Sequence, residues 1–154
     1  MKIMLRRAFV VNAPRSAAWE HLSRVEAWPS WATHIRRVRL DPPGELTARS
    51  RGRFLLRGGL RSTFAMTEFD PPTSWTWVGP LLWMTIRYDH RFEPLDHRRT
   101  RLVWTVAAEG RVGWLGRVFA AGYGRNLDRA IPNLQRELDQ AGHEHSERDY
   151  DDSA

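Results

Sequence analysis

Residues 3–11 (IMLRRAFVV) form a strand-like run. Asn12-Ala13-Pro14 reads as a strand exit and helix start, because proline suits a first helical turn, where its missing N–H has no partner to lose. Residues 15–23 bring Ala18, Trp19 and Leu22 to one side of a short helix, and 25–31 hold one further turn around Pro29. The period then changes. Segments 35–40, 49–57, 60–69, 74–78, 82–93 and 100–109 read as strands, divided by Asp41-Pro42-Pro43-Gly44, Gly58-Gly59, Asp70-Pro71-Pro72, Gly79-Pro80 and the polar loop 96–99. Gly58-Gly59 is a strong two-residue hairpin signal. Six strands joined by tight turns predict an antiparallel meander.

Residues 113–141 predict a long helix. At about 100° per residue, Phe119, Tyr123, Leu127, Ala130, Ile131, Leu134 and Leu138 share one arc. Arg117, Arg125, Asp128, Arg129, Gln135, Arg136 and Asp139 fall opposite. Pro132 cannot donate to the Asp128 carbonyl, which predicts a kink or a break into two helices. Gly142 reads as the stop, closing one domain over 1–142. Residues 143–154 read as a frayed, acidic, disordered tail. A sheet with one apolar face must cover it, and the long helix is the element with the length to do so. A curved sheet closing around one helix leaves space between them, where ligand sites form.

Composition narrows the chemistry. The chain has 154 residues, 42% hydrophobic and 11% aromatic with eight Trp, which excludes a disordered chain. It has no Cys, which excludes disulfides, Cys-ligated zinc and a thiol nucleophile. No apolar run approaches the roughly 20 residues of a membrane span, and no signal-peptide core is present; a cytoplasmic location is expected. Basic residues number 24 against 18 acidic, net +6, and all but Lys2 are Arg. The tail carries five carboxylates and one arginine, net −4, leaving 23 basic against 13 acidic, net +10, over 1–142. The arginines spread from Arg6 to Arg136 rather than massing in one segment. That suits solvated strand faces more than a nucleic-acid arm, so no nucleic-acid partner is expected. An acidic partner such as an acyl-carrier protein is the alternative reading of the charge.

Asn12-Ala13-Pro14, Trp19 and Trp28-Pro29-Ser30-Trp31 resemble the opening of the START-like superfamily, in particular its polyketide cyclase/dehydrase branch. Phe69-Asp70-Pro71-Pro72 and Asp89-His90-Arg91-Phe92 are similar to that branch's next landmarks. Two positions depart from it: Val25-Glu26 where an acidic residue commonly follows the first helix, and Arg99-Thr100 where Gly-Thr commonly opens the last strand. The resemblance spans about residues 3 to 141 and implies an α+β helix-grip fold. In that fold a curved seven-stranded antiparallel sheet wraps around the long C-terminal helix, with two short helices after the first strand. It further implies a largely apolar cavity. Members bind lipids, sterols, quinones, polyketides or plant hormones, and some cyclise or dehydrate aromatic polyketides.

Strand alternation over 82–93 places Leu82, Met84, Ile86, Tyr88, His90 and Phe92 inward. Tyr88 and His90 there are suited to protonating or orienting a carbonyl. Tyr123 is the one hydroxyl on the helix's apolar arc. Catalytic candidates are therefore His90, Tyr88 and Tyr123, each with the competing reading of a core residue whose polar atom is satisfied by a neighbour. Trp28, Trp31 and His34 are expected near the cavity mouth, suited to a flat polycyclic ligand. Phe54, Phe64, Met66, Trp77, Met84, Trp104, Phe119 and Asn126 complete the expected ligand contacts. Arg87 and Arg91 fall on the outer face, and neither they nor Arg57 join the catalytic set. The chain lacks a Gly-x-Ser-x-Gly elbow, a phosphate-binding glycine loop and His-Glu-x-x-His. His143-Glu144-His145 has metal-type residues, but on the expected tail it carries no metal reading. Any chemistry is expected to be acid–base work without metal or cofactor. Three readings stand. The first is a polyketide cyclase or dehydrase-like protein acting on a hydrophobic guest. The second is a non-catalytic carrier or sensor of a hydrophobic, lipid-like ligand. The third is an interaction module whose interior its own tryptophans fill. Monomer and homodimer are both compatible with the sequence.

Overall fold

A computed structural model describes the backbone of residues 1–151, with side chains for all of these except 145–147 and 149–151. Part of the expected tail, 152–154, thus lies outside the described residues. Seven strands form one antiparallel sheet: β1 (Lys2–Val11), β2 (Ile35–Asp41), β3 (Arg51–Leu56), β4 (Arg61–Asp70), β5 (Ser74–Leu81), β6 (Met84–Pro94) and β7 (Thr100–Glu109). Their spatial order is β1-β7-β6-β5-β4-β3-β2. The meander β2 to β7 follows the tight turns, and β1 closes the far edge beside β7. Between the two edge strands the chain passes through α1 (Arg15–Ser23) and a short 3-10 helix (Val25–Ser30). The long helix α2 (Trp114–Asp151) packs on the sheet's inner face, and the whole is a helix-grip fold.

Alternation decides what faces α2. On β6, Met84, Ile86, His90 and Phe92 are buried while Thr85, Arg91 and Glu93 are exposed. Trp75 and Trp77 on β5 and Leu102 and Trp104 on β7 join one core with Leu127, Ala130, Leu134 and Leu138 of α2. At the closed end, Trp19 of α1 packs its ring 5.0 Å from Trp75 and 5.0 Å from Phe92. Trp28 is held by its indole N–H, which donates to the Leu22 carbonyl at 2.8 Å.

Two elements differ from the expectation. β5 runs on to Leu81 instead of ending at Val78. Its ladder to β4 stops at Ala65–Val78, while Gly79 and Pro80 still pair with Ile86 and Thr85 of β6. Pro80 therefore forfeits no ladder bond on the β4 side. The turn moves to Leu82-Trp83, and Leu82, expected inward, stands 67% exposed at the hairpin tip. The second difference is α2, which does not divide into two helices at Pro132 and runs past Gly142 to Asp151. An interior proline costs about 3 kcal/mol. Beyond it Leu134 and Leu138 are buried to 0% and 2% exposure, each contributing about 2 kcal/mol, which outweighs that cost. Glycine inside a helix costs only about 1 kcal/mol against alanine, so Gly142 does not force a stop.

Candidate functional site

Two adjoining hollows lie between the inner sheet face and α2. The larger has a volume of about 110 Å³. Phe54, Leu56 and Leu60 border it from β3 and its hairpin, Phe64 from β4, Trp77 and Leu81 from β5, Tyr88 from β6, and Phe119 and Tyr123 from α2. The smaller, about 30 Å³, lies among Trp31, His90, Trp104, Val106 and Leu127. Trp28, His34, Ile35, Tyr88 and Tyr123 line both. A more voluminous depression of about 760 Å³ sits elsewhere, beside exposed Arg39, Arg51 and Arg53 on the outer face. It is open to solvent, so the apolar interior is the better site for a small molecule.

Aromatic rings keep the interior small. Trp77 lies 4.3 Å from Phe64 and 5.4 Å from Trp28, and Trp31 stacks on Trp104 at 5.8 Å, measured between ring centroids. Such pairs each add about 1 kcal/mol beyond the area they bury. The larger hollow is of the order of a cavity of roughly 150 Å³ that takes up benzene. The smaller has room for water-sized contents.

Tyr88 and Tyr123 face each other with ring centroids 5.8 Å apart, and Phe119 stacks on Tyr123 at 5.6 Å. Burial raises both phenols above their ordinary range, and for Tyr123 the neighbouring Tyr88 adds to this. Phenols are protonated at neutral pH, and the shift widens that margin, so each O–H is available to donate a hydrogen bond. His34 has its ring 6.4 Å from Tyr123, and burial lowers its pKa, leaving a neutral imidazole beside the phenols. The three side chains come from the 3-10 helix–β2 loop, mid-β6 and the first turns of α2, and converge on one largely apolar space.

His90 sits apart in a box of indoles. It stacks on Trp75 at 4.9 Å and lies 4.8 Å from Trp77. Burial pushes its pKa down to about 4, against smaller opposing pulls from the Trp75 and Tyr88 backbone and the Asp89 carboxylate. Its Nδ1 and the indole nitrogens of Trp75 and Trp104 are buried with no hydrogen-bond partner among the described residues.

This architecture has known counterparts. A family model described as polyketide cyclase/dehydrase and lipid transport matches residues 2–139. The chain belongs to that family. No curated protein matches its sequence. Among solved structures, the Zhui aromatase/cyclase of a Streptomyces species is similar at 18% identity and a TM-score of 0.67, over 88% of this chain and 93% of its own. A Thermobifida fusca protein is 18% identical with a TM-score of 0.73 over the same shares. A START superfamily protein from Mycobacterium smegmatis is 14% identical with a TM-score of 0.68, over 92% of this chain and 99% of its own. At such identities the likeness speaks for the fold. Family and fold together support a ligand-binding function.

In this polyketide cyclase/dehydrase family member, the expected site residues divide by depth. Tyr88, Tyr123, Trp28, His34, Phe54, Phe64, Trp77 and Phe119 line the larger hollow. His90, Trp31 and Trp104 border only the smaller one. Met66, Met84 and Asn126 line neither. Met66 packs against the main core, and Met84 is buried with Ile86, Val106 and Ala108. Asn126 borders a surface cleft with Thr33, Arg57 and Arg129. Arg87 is on the outer face, where it pairs with Glu68 and Asp89. The lining also includes Leu60, Leu81 and Arg61, which sequence reasoning missed. All three flank hairpin tips, and hairpin signals were the available clue to them. No helix among the described residues is long and apolar enough to cross a membrane.

Proposed function

We propose that this family member binds a compact, apolar, oxygen-bearing small molecule in the larger hollow, where Tyr88 and Tyr123 donate hydrogen bonds to its oxygen. One observation carries the reading: two phenols with ring centroids 5.8 Å apart border one space whose other lining is mainly aliphatic and aromatic, with His34, Arg61, Ser62 and Thr63 as its polar members. A volume of about 110 Å³ suits a single ring; a polycyclic or polyketide-like guest requires the rings of Trp28, Phe54 or Trp77 to swing aside. A second reading rests on His34. With an unprotonated imidazole 6.4 Å from the Tyr123 ring, the same space has an acceptor for an α-proton beside donors for a carbonyl oxygen. These are the parts of a cofactor-free enolisation or dehydration.

Calorimetric titration with acetophenone and with ethylbenzene, which lacks the oxygen, tests the main reading. The expected result is tighter binding of the ketone. The double variant Tyr88→Phe/Tyr123→Phe should reduce that preference by about thirtyfold, since the two hydrogen bonds are worth about 1 kcal/mol each. Binding of neither compound, or an unchanged preference in the double variant, would overturn it.

A further inference from the structure

Nine large apolar side chains are exposed among the described residues, and five of them, Leu60, Leu82, Trp83, Trp114 and Val118, belong to three segments that meet at one end of the molecule. The segments are the β3–β4 hairpin, the β5–β6 hairpin and the first turns of α2. Leu60, Leu81 and Phe119 border the same interior hollow. The Trp83 indole N–H donates to the Arg111 carbonyl at 2.9 Å, tying the second hairpin to the start of α2. Leu60 thus borders the hollow itself, and the other four exposed residues stand on the segments that border it.

Their charge setting is mainly basic, with exposed Glu109 just before the third segment. Arg57 and Arg61 bracket the first hairpin, and Arg111 and Arg117 flank Trp114; residues 57–61, 80–85 and 110–118 contain no Asp or Glu. None of these four arginines makes an ion pair among the described residues. The tip of the second hairpin adds an independent sign. Leu82 has φ 54, in the left-handed region where glycine or asparagine is favoured. A bulky apolar side chain is thus held out at a position where folding alone favours another residue.

We propose that this end docks the protein onto an anionic lipid bilayer. Trp83 and Trp114 sit at headgroup depth, Leu60, Leu82 and Val118 enter the acyl boundary, and the four arginines face lipid phosphates. Exposed aromatic and aliphatic tips among unpaired arginines match such an interface. A second copy fits poorly, because a two-fold contact through the same face sets arginines against arginines. Nucleic acid leaves the aliphatic tips without partners. The inference rests on the ligand reading above, since docking brings the hollow to a source of apolar ligand.

Co-sedimentation of the full chain with vesicles tests it, comparing equal parts phosphatidylglycerol and phosphatidylcholine with phosphatidylcholine alone. Binding to the anionic vesicles is expected to be about tenfold tighter or more, and to weaken as salt is raised. Trp83→Ala/Trp114→Ala should lower it by about tenfold. Leu82→Gly should lower it while leaving the melting temperature equal or higher, an outcome that a purely structural role for Leu82 would not give. No partition onto anionic vesicles, partition unaffected by these variants, or the same variants dissolving a dimer or a complex with an acidic protein instead would overturn the proposal. Acetophenone titration without vesicles separates the two readings. A chain that sediments yet binds no ketone keeps the docking and loses the ligand reading; one that binds ketone yet never sediments does the reverse.

Discussion

His90 is the residue whose chemistry most depends on depth. Unfolded, its ring takes up a proton near pH 6.5; folded among the indoles, it does so only at about 4. Protonation therefore favours the unfolded chain between those values. Stability is intact above pH 6.5 and falls as the pH drops, by about 3 kcal/mol from this ring by pH 4. His34, also lowered by burial, acts in the same direction. Melting temperatures across that window should decline steeply for the natural protein and less steeply for His90→Phe; parallel curves would contradict the burial argument. Alternation along β6 was enough to send Tyr88 and His90 inward, because side chains on a strand change face at every residue. It was not enough to separate them. Tyr88 reaches the larger hollow and His90 stops in the indole box, a difference set by the helix and loops packed above each. Met84 illustrates the same limit: it faces inward, yet is buried at 2% exposure in a side cluster.

At the scale of elements, α2 has two unlike halves. Its later part is fixed to the β1 edge of the sheet and to the short helices. Arg7 of β1 holds Asp128 through contacts of 2.7 and 3.2 Å, Gln135 donates to the Val10 carbonyl, and Asn133 donates to that of Trp31. Glu137 accepts from Ser30 and contacts His21 at 2.9 Å. Each exposed pair is worth about 1 kcal/mol or less, but they act beside the buried Leu127, Ala130, Leu134 and Leu138. The first turns make no such side-chain tie among the described residues, and pack through Phe119 and Tyr123 against the smaller cluster of Met84, Ile86, Val106 and Ala108. Trp114 and Val118 are exposed, Phe119 and Tyr123 are half-buried, and Gly116, Gly122 and Gly124 weaken the helix itself. Amide exchange should be faster across 114–123 than across 127–139 by orders of magnitude, and acetophenone should slow the first segment selectively. Uniform protection along α2 would contradict this division of the helix. Both halves were visible as one apolar arc in the sequence. The polar arc did not show that Asp128 and Gln135 bond to β1 and Asp139 to Asn12 just past it.

Across the whole molecule, the turn chemistry and the proline and glycine punctuation were sufficient for the order of β2 to β7, though not for the place of β1 beside β7. Tight connections leave consecutive antiparallel strands little choice but to pair, and the longest amphipathic segment had one apolar face to cover. The volume left inside was not legible. It depends on how eight tryptophans and their neighbours interlock, and indoles of the same inward orientation either fill space or line it. The β5–β6 tip was misplaced for a related reason: Gly79-Pro80 reads as a turn unless the ladder to β4 is known to have ended. Both features bear on what the protein does, since one sets the size of the guest and the other exposes Leu82 and Trp83.

The hollow itself is the proposition on which the functional reading depends, and xenon probes it without assuming a ligand, because the gas enters apolar cavities of this order. In a crystal structure under xenon pressure, ordered xenon is expected among Phe54, Trp77, Tyr88, Phe119 and Tyr123. An interior without xenon, with those side chains closed upon one another, would contradict the account.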